Sequence, residues 1–137
     1  MVTKDEFDQN ERLVFNYGHT FGHAIEAITN HKVPHGQAVT IGMDIANYVS
    51  YKMGNLKEEE YVNMNHFLKK NMPIFRLEEN MIDSYMDLLK KDKKNISNSV
   101  TCILPYAFGD IRVECVQDLE FLKKTLIAYI DLNKKRA

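Results

Sequence analysis

Arg12-Leu13-Val14-Phe15-Asn16-Tyr17-Gly18-His19-Thr20-Phe21-Gly22-His23-Ala24-Ile25-Glu26, followed by Pro34-His35-Gly36-Gln37-Ala38-Val39, decides the reading of this chain. Polar, titratable groups alternate there with glycines and apolar residues in a helical pattern. Ala24 and Ala27 are good helix formers, and Phe15, Ile25 and Ile28 give apolar anchors, so a first helix is expected over about 12–30. Gly18 and Gly22 cost stability in a helix interior, but a spacing of four puts both on one face. Another backbone or a ligand could approach closely there. Asn30-His31-Lys32-Val33-Pro34 reads as a connector, because the residue before a proline avoids the helical region.

Working outward, a second helix is expected from about His35 to Met53. Val39, Met43 and Ala46 form one apolar stripe and Ile41, Ile45 and Val49 another, the mark of a largely buried helix. Gly54-Asn55 ends it, and Asn55 with Glu58 three residues later matches a capping box for a third helix. Tyr61, Met64, Phe67 and Leu68 give that helix its apolar positions, and Asn71, before Met72-Pro73, can take the left-handed conformation that stops it. A fourth helix spans about 78–91. The period then shortens: Val100–Leu104 and Ile111–Val116 are rich in β-branched residues and flank Pro105-Tyr106-Ala107-Phe108-Gly109-Asp110, which suggests a hairpin. A last helix, about 117–133, carries Leu119, Leu122, Leu126 and Ile130 on one face. The expected fold is mainly α: about five helices in one domain, with a small β-hairpin near residues 100–116.

The chain has 137 residues, 45% apolar and 27% charged, as in an ordinary globular domain. A net charge of −1 gives no electrostatic reason to expect nucleic acid or an anionic membrane as partner. No apolar stretch approaches the roughly 20 residues that span a bilayer, and the start is too polar for a signal peptide. Cys102 and Cys115 lack the spacing of a zinc or redox pair, and a reducing, cytoplasmic setting is the simplest expectation.

His19 and His23 share a helical face, a spacing that suits metal ligation or joint contact with one substrate. A zinc-protease motif is excluded, because Thr20 stands where its glutamate would follow the first histidine. On spacing alone, such a pair is more often two capped or exposed side chains. His35, fixed by Pro34 at a helix start, shifts that balance. His19 and His35 could supply two ligands of a catalytic metal from adjacent helices. Glu26 and Asp44 are compositional candidates for a third, each better suited to a structural or outer-shell role. His31 and His66 sit in polar surroundings and read as surface residues. Arg12 and Asn16 are four apart, and their donors suit a substrate with phosphate, carboxylate and hydroxyls. An arginine paired with Glu11 or Glu26 on a solvated surface is the plainer alternative. Lys90–Lys94 is a basic cluster, and Lys134-Lys135-Arg136 a basic tail.

Arg-x-x-x-Asn-x-Gly-His-Thr-x-Gly-His-Ala-x-Glu, followed by His-Gly-x-Ala-Val-x-x-Gly-Met, resembles the C-terminal domain of 3-dehydroquinate synthase. It is also similar to the wider sugar-phosphate cyclase group, including 2-deoxy-scyllo-inosose synthase. Asp92-Lys93-Lys94 and Leu104-Pro105 with Gly109 extend the resemblance over nearly the whole chain. The resemblance implies His19 and His35 as ligands of a divalent metal, zinc or cobalt. It implies Arg12, Asn16 and His23 at the substrate, with Asn16 and His23 near its phosphate and His23 catalytic. It implies a phosphate-contacting lysine at Lys93 or Lys94, with Lys93 favoured. The implied reaction belongs to the shikimate route to aromatic amino acids. It uses NAD catalytically on a phosphorylated seven-carbon sugar acid, eliminates phosphate and closes a carbocycle by aldol addition.

The family's third metal ligand, a glutamate, and its NAD-binding half are upstream of this region. No Gly-x-Gly-x-x-G occurs in the 137 residues, and Lys4 is too close to Arg12 to match the substrate-binding lysine that precedes it. The expectation is therefore an α-helical half that needs the N-terminal NAD-binding half as partner and is inactive without it. The family is typically homodimeric, which admits a homodimer here. Gln37 replaces the usual glutamate and Asn98 the usual glycine. Two other readings stay open: a cyclase for a different sugar phosphate, and a non-catalytic helical binding module.

Overall fold

The computed structural model describes residues 18–30, 32–71, 78–90, 100–107 and 110–135. Five α-helices, two 3-10 turns and one hairpin make up the regular structure of these residues, so the mainly α expectation holds. Helix α1 spans His19–Ile28, α2 His35–Lys52, α3 Glu58–Leu68, α4 Ile82–Lys90 and α5 Leu119–Lys135. Strands β1, Val100–Ala107, and β2, Asp110–Val116, pair antiparallel between α4 and α5.

Gly18 sets the start of α1. Its φ of 90° is left-handed, a conformation open to glycine and strained for a residue with a Cβ. A single helix running through residue 18 is therefore corrected: Gly18 is a cap and not an interior position. The expected segment 12–17 lies outside the described residues. At the other end Asn30 takes φ 52°, and Thr29 Oγ1 donates to the Ile25 carbonyl at 2.8 Å. These features stop α1 and turn the chain into Pro34 and α2.

The first two helices meet backbone to backbone. A Cβ at Gly42 would lie 2.0 Å from the Gly18 carbonyl oxygen and 2.6 Å from the Gly22 nitrogen. One at Gly22 would lie 2.9 Å from the Ala38 carbonyl oxygen. The close approach expected at Gly18 and Gly22 is thus real, and the approaching backbone is α2.

Helix α2 runs through the core, burying Ala38, Ile41, Ile45, Ala46 and Val49 together with Asp44, Asn47 and Ser50. Buried residues on several faces match its pattern of two apolar stripes. Its polar residues tie other elements to it. Asp44 accepts from Asn65 Nδ2 of α3 at 2.8 Å and from Tyr129 Oη of α5 at 2.5 Å. Ser50 Oγ donates to the Pro105 carbonyl of β1. On β1, Val100, Cys102 and Leu104 alternate inward and are buried, as a half-covered strand requires. Tyr85 Oη of α4 donates to the Phe21 carbonyl of α1 at 2.8 Å, and burial pushes its hydroxyl pKa well above the usual value, so it stays a donor. Helix α5 opens on Asp118, whose carboxylate accepts the Phe121 N–H at 3.0 Å, and buries Leu122, Leu126, Tyr129 and Ile130.

Two local expectations fail in and around α3. The helix is preceded by Lys57 with no side-chain cap, so Asn55 and Glu58 do not form a capping box. Leu56 is buried instead, and Glu58, Glu59 and Glu60 favour the helix start electrostatically. Phe67 is 73% exposed. Tyr61 and Asn65 take the inward face, and two positions beyond Asn65 the helix has turned about 200° away from it. Asn71 closes a 3-10 turn, Lys69–Asn71.

Candidate metal and substrate site

The join of α1 and α2 gathers three imidazoles and a carboxylate. His19 is the first residue of α1 and His35 the first of α2, while His23 and Glu26 follow one and two turns along α1. Ring centroids of His19 and His23 are 5.2 Å apart, those of His19 and His35 5.5 Å, and those of His23 and His35 6.1 Å. Glu26 Oε1 lies 2.6 Å from His35 Nδ1. One ligand atom each from His23, Glu26 and His35 all fall within 4.8 Å of one another. Imidazole nitrogens are donors that zinc and cobalt accept, and a carboxylate beside them can hold a ligating ring in place, so the residues present fit a divalent ion of that kind.

All three histidines singled out in the sequence are brought together. The tightest donor group runs through His23, and His19 is the most buried of the three, half-buried where His23 and His35 are exposed. Glu26 and Asp44, alike as candidate carboxylates in the sequence, are separated by the structure. Asp44 is buried in the core, where it accepts from Asn65 and Tyr129, whereas Glu26 belongs to the cluster. The pairing of Glu26 with His35 spans nine residues and a turn, a separation no helical spacing rule reports. His66 is exposed, as expected for a surface residue, and Gln37 is exposed in the first turn of α2. Arg12, Asn16, His31, Lys93, Lys94 and Asn98 lie outside the described residues.

Nucleotide-binding sheets are parallel, with a glycine-rich turn between strand and helix. The β-structure among the described residues is one antiparallel hairpin, which does not fit NAD. Among the described residues no helix is long and apolar enough to cross a membrane.

An α-helical domain with an imidazole–carboxylate cluster at the join of its first two helices is the class that fold and site define. Residues 1–95 match the 3-dehydroquinate synthase C-terminal family, and the chain belongs to that family. It is 39% identical over 114 residues to the 3-dehydroquinate synthase of Helicobacter pylori strain HPAG1, covering 82% of this chain and 33% of that protein. It is 38% identical over 125 residues to the 3-dehydroquinate synthase of Dictyoglomus turgidum, covering 88% of this chain and 33% of that one. The chain thus spans about a third of the length of these curated relatives. The fold is similar to that in a crystal structure of 2-deoxy-scyllo-inosose synthase complexed with carbaglucose-6-phosphate, NAD+ and Co2+. The TM-score is 0.69 at 22% identity, over 90% of this chain and 37% of that one.

Proposed function

We propose that this chain is the metal- and substrate-binding part of a 3-dehydroquinate synthase, a lyase-type cyclase acting on a phosphorylated seven-carbon sugar acid in the shikimate route. The observation that carries the proposal is the convergence of His19, His23 and His35, with ring centroids no more than 6.1 Å apart, in a member of this family. His19 and His35 hold the divalent ion, zinc or cobalt. When bound, such an ion supplies Lewis acidity toward an alcohol or carbonyl oxygen. His23 is exposed beside them, where its ring can meet the substrate phosphate and serve as general acid or base. Arg12, Asn16 and Lys93 are assigned to the anionic and hydroxyl groups of the substrate. The third metal ligand and NAD are assigned to the two thirds of the relatives that this chain does not span. Two histidines without that carboxylate and nicotinamide cannot carry a redox step, so the isolated chain is expected to be inactive.

The curated relatives at 38–39% identity carry the name 3-dehydroquinate synthase, which supports this substrate. A chimera with these residues in place of the matching third of the Helicobacter pylori enzyme tests the assignment. NAD-dependent phosphate release from the seven-carbon sugar acid phosphate, with none from glucose 6-phosphate, is the expected outcome. The reverse preference would assign the domain to another cyclase. A folded chimera inert toward both would support a non-catalytic binding module.

A further inference from the structure

A short polar contact within the cluster points to a role for a residue that the proposed reaction does not use. His35 Nδ1 and Glu26 Oε1 are 2.6 Å apart. The Glu26 side chain is 14% exposed and the His35 side chain 59%, so the carboxylate is the held partner and the ring the one open to a ligand. An ionised carboxylate only accepts hydrogen bonds, so the ring nitrogen facing it carries the proton. In neutral imidazole the lone pair then sits on the other nitrogen, Nε2.

We propose that Glu26 is a positioning residue: it holds His35 in the Nδ1–H tautomer and orients the ring so that Nε2 is presented to a divalent metal ion. Carboxylates that accept the second N–H of a ligating histidine fix its orientation and raise its basicity. The alternative, that Glu26 itself ligates the ion together with His35 Nδ1, conflicts with the distance. Two atoms bonded to one ion at roughly 2.0–2.2 Å in tetrahedral geometry stand about 3.4 Å apart, whereas 2.6 Å is hydrogen-bond spacing. The ligand role of Nε2 rests on the reading of His35 given under the proposed function; the tautomer does not.

Imidazole nitrogen chemical shifts of the metal-free chain at about pH 8.5, some two units above the ordinary histidine pKa, read the tautomer directly. The His35 resonance is assigned by its loss in His35→Ala. In the unmodified chain His35 is expected as Nδ1–H with Nε2 unprotonated. In Glu26→Ala it should revert toward the Nε2–H form that free neutral histidine prefers, with the helical circular dichroism unchanged. Cobalt titration of the same variant should show roughly 10–100-fold weaker binding with the absorption bands unmoved. An Nε2–H tautomer in the unmodified chain, or an unchanged tautomer in Glu26→Ala, overturns the role of Glu26 alone. Moved cobalt bands in Glu26→Ala make Glu26 a ligand and also overturn it. Absence of cobalt binding by the unmodified chain overturns the metal reading and the presentation of Nε2, while leaving the tautomer result in place.

Discussion

Gly42→Ala is expected to destabilise the chain by about 3 kcal/mol or more, the upper end of what an added methyl costs in a packed core. The reason lies in what the methyl would meet. It would stand 2.0 Å from the Gly18 carbonyl oxygen and 2.6 Å from the Gly22 nitrogen. Both are backbone atoms, and Gly18 is already held at φ 90°, so no side chain can swing away to relieve the clash. Helix α1 must move off α2 as a body. His19 and His23 travel with α1 while His35 stays with α2, so the same substitution should also weaken divalent-metal binding. Gly36→Ala is the matched control. It lies in the first turn of the same helix with nothing within 4 Å of the new Cβ, and should be neutral or slightly stabilising. Urea unfolding of both variants makes the comparison. A Gly42→Ala chain as stable as Gly36→Ala would mean that α1 and α2 are not in backbone contact.

Asp44→Ala should cost a similar amount for a different reason. Asp44 is fully buried, and its two oxygens accept from Asn65 Nδ2 and Tyr129 Oη, which come from α3 and α5. Removing the acceptor takes a hydrogen bond from each of two buried donors, at about 1–3 kcal/mol apiece, and opens a small cavity besides. The expected loss is about 3 kcal/mol. Asp44→Asn keeps an oxygen that can accept from one of them and should lose less. Tyr129→Phe removes the donor along with its need for an acceptor, and should also lose less than Asp44→Ala. Equal stability of Asp44→Ala and the unmodified chain, measured by denaturant unfolding, would contradict the placement of Asp44 as the polar tie between α2, α3 and α5.

The legible parts of this chain were those governed by local periodicity. The two apolar stripes of α2, the apolar face of α5 and the β-branched runs of the hairpin each follow from a repeat that one element satisfies by itself. The failures were choices made by partners distant in sequence. Phe67 has the composition of an anchor, but α3 turns Tyr61 and Asn65 inward, and Asn65 is held there by Asp44, 21 residues earlier. Asn55 and Glu58 have the right spacing for a capping box, but Leu56 is buried and the helix begins later. Gly18 reads in the sequence as a cost inside a helix, whereas the structure uses its freedom at positive φ just before α1.

The site divides in the same way. His19, His23 and His35 were legible because glycines, a proline and helical spacing surround them in a long pattern. Spacing from the histidines does not say which of Glu26 and Asp44 reaches them. One reaches a histidine across a turn, and the other reaches two further helices through the core. Only the packing of α1 on α2 sorts them.

The central claim is that α1 and α2 each give one histidine to a divalent metal ion, and cobalt titration followed by visible absorption tests it most directly. The unmodified chain should develop ligand-field bands. His19→Ala and His35→Ala should each weaken binding by more than the roughly 10–100-fold that an outer partner contributes, while His66→Ala, exposed on α3, should leave it unchanged. Cobalt binding that survives both His19→Ala and His35→Ala at full strength would contradict the account.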